Sequence, residues 1–102
     1  MEEDYKILKL LTNEFVFGNV TRSFSDGSLE LYDPRILYAK EDGMFMMVPY
    51  CFYTDEETMV FNYGAIVTVV KATPNLIETY KEWLTKEKDE LINTTESSKL
   101  AH

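Results

Sequence analysis

Met59-Val60-Phe61-Asn62-Tyr63-Gly64-Ala65-Ile66-Val67-Thr68-Val69-Val70 is the stretch on which the fold class turns. Ala65 to Val70 is the clearest strand of the chain, a run dominated by β-branched side chains. Asn62-Tyr63-Gly64 reads as a tight turn, and Met59-Val60-Phe61 as the strand that enters it. Moving toward the amino end, Thr54-Asp55-Glu56-Glu57-Thr58 is an acidic loop or bulge. Before it, strand Met44 to Pro49 runs into the aromatic stretch Tyr50-Cys51-Phe52-Tyr53. Glu41-Asp42-Gly43 and Ser25-Asp26-Gly27-Ser28 are hairpin turns. Between them the strand is interrupted at Asp33-Pro34, because Pro34 has no N–H to give a ladder and must sit at an edge or bulge. Phe15 to Thr21 alternates, with Phe15 and Phe17 on one face and Val16, Gly18 and Val20 on the other. Gly18 inside it marks a bend or a close backbone approach, as a short strand needs in order to curl. Tyr5 to Leu11 is a first short apolar strand, set off by Thr12-Asn13-Glu14.

The last third reads as a helix. Thr73 supplies an N-cap hydroxyl, and Pro74 stands at the first helical position, where its missing N–H costs nothing. Leu76, Ile77, Tyr80, Trp83, Leu84 and Leu91 form one apolar face, with Ile92 at its margin. The expected organisation is a β-barrel over residues 1–72, a helix over 73–92 packed on it, and a polar, disordered tail over 93–102.

Composition bounds the function. The 102 residues suit one domain, and 45% apolar residues can bury a core. Ten Lys+Arg against eighteen Asp+Glu give a net charge of −8. Residues 1–72 carry six basic and twelve acidic side chains, residues 73–102 four and six, so neither part hides a basic face. Duplex DNA is not an expected partner, since phosphate neutralisation needs clustered cations. No apolar run is long enough to span a membrane. The acidic start Met1-Glu2-Glu3-Asp4 is unlike a secretory leader, and the single Cys51 suits a reducing compartment, so the cytoplasm is the expected location. The only histidine is His102, which excludes Ser/His/Asp and Cys/His catalysis and His-based zinc sites. No acid–base pair emerges, so neither an enzyme nor a cofactor nor a metal centre is expected.

The order of the pieces resembles Sm-like proteins. Leu11-Thr12-Asn13-Glu14-Phe15-Val16-Phe17-Gly18-Asn19-Val20 looks like their opening strand pair, and Ser25-Asp26-Gly27-Ser28-Leu29-Glu30-Leu31 like the next hairpin. Phe61 to Val70 looks like their second motif. Within the family the layout is similar to Sm-like proteins of the marine cyanophage and bacterial kind. The parts that carry this are Leu29-Glu30-Leu31-Tyr32-Asp33-Pro34, the Pro–aromatic–acidic stretch Met47 to Glu56, and the closing helix from Pro74 to Tyr80. The resemblance covers about residues 5–85. It implies a mainly β fold: a small, strongly bent, five-stranded antiparallel Sm-like (SH3-like open) barrel with a C-terminal α-helix. It also implies a homo-oligomeric ring of about five to seven subunits, closed by strand addition between neighbours. The implied role is binding of single-stranded RNA in phage or bacterial RNA metabolism. Family members that hold uridine-rich RNA carry an Asn in the third-strand motif and an Arg-Gly or Lys-His before the last strand. This chain has Ser28 and Asn62-Tyr63-Gly64 near those places.

The candidate RNA-binding residues are therefore Ser28, Asn62, Tyr63 and Gly64, with Tyr63 stacking a base and Asn62 bonding its edge. The plainer reading is a surface turn with a packed tyrosine. The candidate subunit interface comprises Tyr50, Phe52, Tyr53, Met59, Phe61, Ile66, Thr68 and Val70. Tyr50, Phe52 and Tyr53 differ in parity and cannot all face one core. Asp55-Glu56-Glu57 reads as a solvated acidic loop and Cys51 as a small buried hydrophobe. The alternative to RNA binding is a structural or protein-docking ring acting on a host protein.

Overall fold

The computed structural model describes residues 3–51 and 53–86. The chain divides after Ala72 into a sheet unit and a helical unit. The sheet unit holds β1 (Tyr5–Leu10), β2 (Phe15–Ser23), β3 (Leu29–Ala39), β4 (Phe45–Pro49), β5 (Thr58–Phe61) and β6 (Ile66–Lys71). A 3-10 turn at Tyr63–Ala65 joins β5 to β6. Every pairing is antiparallel, in the order β4-β3-β2-β1-β6, with β5 also paired to β3. The fold is thus mainly β, an open antiparallel sheet followed by a helix.

Six strands stand where the Sm-like resemblance implies five, and the reason is local to β3. One side of β3 pairs with β2. Its other side takes β4 along Arg35–Ala39 and β5 along Leu29–Tyr32, so β4 and β5 follow one another on the same flank. Asp33 and Pro34 fall between. Asp33 adopts φ 50°, and Pro34 offers no donor, so the ladder breaks there. The chain leaves β4 and rejoins β5 beside this break: Tyr50 N–H donates to the Pro34 carbonyl (2.9 Å), and Asp33 N–H donates to the Glu57 carbonyl (2.7 Å).

The core lies on one face of the curled sheet. Leu8, Leu10, Val16, Leu29, Leu31 and Phe61 are buried together, with Val20, Tyr50, Met59 and Ile66 packed against them. The curl is tightest at Gly18, where the β2–β3 register shifts between Phe17 and Asn19. A methyl group at Gly18 would lie 3.0 Å from Leu31 Cβ, tighter than ordinary van der Waals contact, so any side chain here would have to push Leu31 aside. On the opposite face Phe17 is fully buried and stacks on Tyr5 at 5.4 Å. Arg35, 4% exposed, faces the Asp33 carboxylate at 3.2 Å, which partners a cation that burial would otherwise penalise.

The helical unit is α-helical from residue 74 through 86. Thr73 Oγ1 accepts the Leu76 N–H at 3.3 Å, the expected cap. Leu76, Ile77, Tyr80, Trp83 and Leu84 are buried or half-buried while Lys81, Glu82 and Lys86 are exposed, which follows the expected stripe. Leu91, Ile92 and the expected tail 93–102 lie outside the described residues. Among the described residues no helix is long and apolar enough to cross a membrane.

Gly18→Val forces a branched side chain into Leu31. The expected loss is about 1–3 kcal/mol of unfolding free energy, read as a lower urea midpoint with an unchanged slope.

Candidate functional site

Two turns far apart in sequence meet at one place on the sheet unit. The first joins β2 to β3. Asp-Gly chemistry closes it: Gly27 takes φ 94°, its N–H reaches the Phe24 carbonyl at 3.0 Å, and Phe24 N–H reaches the Ser28 carbonyl at 2.9 Å. The Asp26 carboxylate accepts the Ser28 N–H at 2.8 Å. That bond, seconded by the Ser28 hydroxyl, holds the Asp26 carboxyl below its ordinary value of 3.8. Because the folded value is the lower one, the contribution of this bond is complete above the ordinary carboxylate range. It is lost only as pH falls through the lowered value, so the turn stays closed at neutral pH.

The second is the 3-10 turn. Asn62 caps it, its Oδ1 accepting the Gly64 N–H at 2.8 Å while its carbonyl accepts the Ala65 N–H at 2.9 Å. The two turns are joined by one bond across 35 residues of sequence: Tyr63 N–H donates to Ser28 Oγ at 2.9 Å. Ser28 is buried, 4% exposed, and the Tyr63 Cβ would sit 3.5 Å from a methyl placed on Gly27. Ser28, Asn62, Tyr63 and Gly64 therefore come together, as the sequence grouped them.

Their division of labour differs from the expected one. Ser28 Oγ and Asn62 Oδ1 are engaged in fixing the backbone of the turns. The group offered outward is the Tyr63 ring, 58% exposed. Arg22 lies over the Phe24 ring at 4.8 Å, one residue outside the first turn. An exposed aromatic face held on a rigid turn can stack a flat ligand.

The interface candidates separate into two groups. Phe61 is buried, and Met59, Ile66 and Tyr50 are half-buried against the core. Tyr50 meets Phe61 edge-on at 5.1 Å. Thr68 and Val70 are exposed on β6, and Tyr53 is 96% exposed. Phe52 lies outside the described residues. Val60, Val67 and Val69 are also exposed and were not singled out by sequence. A run in which almost every residue is β-branched does not show which parity faces the core, and a register shift against β1 between Lys9 and Leu10 alters that parity midway.

Beside the break at Asp33 and Pro34 lies a half-open cleft of about 400 Å³. Tyr32, Pro34, Pro49, Tyr50 and Met59 form its apolar walls, with Asp33, Glu56 and Glu57 at its acidic side. Half-buried Cys51 lines it too. Among the described residues no three His, Cys, Asp or Glu side chains converge to hold a metal ion.

Comparison of the chain with protein-family models finds no match, and comparison with curated proteins finds none either.

Ser28→Ala removes the acceptor of the Tyr63 N–H. The expected result is a loss of about 1–2 kcal/mol in chemical denaturation and faster amide exchange at Tyr63 than at the β1–β2 ladder.

Proposed function

We propose that this chain is an Sm-like protein that assembles head to tail into a homo-oligomeric ring and binds single-stranded RNA at the Ser28–Tyr63 turns. The observation that carries the assembly is the pair of open rims. Among the described residues β6 pairs with β1 alone, and β4 and β5 pair with β3 alone. The rim strands are apolar as well as unpaired: Val60 on β5, and Val67, Val69 and Val70 on β6, are between 40% and 56% exposed. An open, apolar edge invites any passing strand, and natural sheets cover such edges. A second copy offers the complement, its β6 adding to the β5 rim of the first. The two patches differ, so the contact is heterologous, and it closes into a ring or grows as a filament.

The RNA reading rests on Tyr63. A ring repeats its exposed phenol once per subunit, and stacking on an aromatic face accepts any base. Charge favours a second reading, a ring that docks a protein. Each subunit contributes −8, and the Asp26 carboxylate stays ionised beside the Tyr63 turn. Phosphates are repelled by such a surface, whereas a basic protein partner is drawn to it.

Light scattering at micromolar concentration is expected to show a closed oligomer, and a Val69→Lys variant a folded monomer. A monomeric native chain removes the ring. Fluorescence anisotropy with short oligo-U and oligo-A, run as a salt series upward from about 50 mM because salt screens the repulsion between phosphate and a chain of net charge −8, tests the ligand. Tyr63→Ala is expected to weaken binding by about 5- to 100-fold, the worth of one stacked base. Absence of binding by the native ring removes RNA, and recovery of a protein partner after nuclease treatment then establishes the docking reading.

A further inference from the structure

The two rims carry opposite charge at the ends that would meet. On β6 the last residue, Lys71, is exposed and stands directly across β1 from Lys6. Like charges placed opposite one another on neighbouring strands repel. Lys6 is compensated by the Asp4 carboxylate at 3.5 Å. On the other rim β5 begins just after Asp55-Glu56-Glu57, all exposed. The Glu57 carbonyl already accepts the Asp33 N–H, so its backbone extends the β5 ladder by one residue.

Strand geometry then restricts how these ends can meet. In an antiparallel pair the numbers of facing residues add to a constant, and facing side chains lie on the same side of the sheet. On β5 the core side is that of Met59 and Phe61. On β6 it is that of Val69, which pairs with core residue Leu8, and of Lys71 two positions on, while amino-terminal to the register shift it is that of Ile66. Setting Met59 against Val69 places Phe61 against Val67, Val60 against Thr68, and Thr58 against Val70. All of β5 then has partners within β6. Carboxyl-terminal to the bulge at Val67 this register keeps the faces matched, and sliding by two residues toward either end runs a β5 residue off the end of β6. The same register covers Val60, Val67, Val69 and Val70, the exposed valines of both rims. It sets Glu57 against Lys71.

We propose that Glu57 of one copy and Lys71 of the next form the ion pair that fixes the orientation and register of the contact between copies. The pair rests on the edge-to-edge assembly proposed above. Parallel docking would leave Lys71 beside Phe61 and bring the acidic end of β5 to Ile66, so the charges select the antiparallel arrangement. Exposed pairs of this kind contribute little attraction, but reversing one member sets like charges face to face at every junction of the ring.

The test compares the native chain with Glu57→Lys, Lys71→Glu and the double exchange by sedimentation velocity over the micromolar range. At about 50 mM salt each single variant is expected to associate roughly tenfold more weakly, and the double exchange to recover most of that loss. Raising the salt should narrow the differences. A native chain that assembles while both single variants assemble equally well overturns the ion pair and leaves the assembly standing. Failure of the double exchange to recover, with the singles weakened, also overturns the pair. A monomeric native chain overturns the assembly and the pair with it.

Discussion

Strands inside a sheet satisfy their backbone polar groups on both sides, whereas among the described residues β6 and the β4–β5 flank have a strand partner on one side only. Each unpaired N–H and C=O along those rims must be answered by water, by another segment or by another chain. Water is a poor answer where the strand also exposes valines, as β6 does at three positions. The curl set by the close approach of Gly18 to Leu31 buries the inner face of the sheet. It does not bring β6 and β5 into contact as ladder partners. The proposed assembly and its charge arrangement both start from this unfinished closure.

The turns were readable because their chemistry is local. Ser25-Asp26-Gly27-Ser28 needs φ > 0 at Gly27, and Thr73-Pro74 sets a helix start within four residues. Gly18 was readable as a bend because an isolated glycine in an aromatic, β-branched strand has few other uses. The runs Met44 to Pro49 and Met59 to Phe61 were readable as separate strands, but not their succession along one flank of β3, which depends on the positive φ of Asp33 and the missing donor of Pro34 across the sheet. At the site, sequence grouped Ser28 with Asn62, Tyr63 and Gly64 but assigned the polar groups to a ligand. The hydrogen bond from Tyr63 N to Ser28 Oγ is a tertiary contact with no local signature, and it turns Ser28 into a brace. On β6 Val70 was among the interface candidates but Val67 and Val69 were not, because a uniformly β-branched run carries no alternation to read.

Charge and shape bear differently on the ligand. The Tyr63 ring suits a base, while the net charge of −8 opposes a polyanion. Stacking acts at van der Waals range, whereas repulsion from the whole surface acts over about a Debye length, ~8 Å at physiological salt. An RNA reader built this way would depend strongly on ionic strength, with its sign reversed from that of a basic protein: added salt would screen repulsion before it screened attraction.

The connection from β4 to β5 is held at its two roots by main-chain bonds to consecutive residues of β3, Pro34 and Asp33. Its feet are therefore anchored independently of its length. Closing a longer loop costs only about 0.6 kcal/mol per doubling, so inserts can lengthen or reshape this arch without moving β4 or β5 from their places on β3. The molecule thus has an adaptable appendage on a fixed frame. Diversification there would alter what the cleft admits while leaving the rest of the architecture untouched.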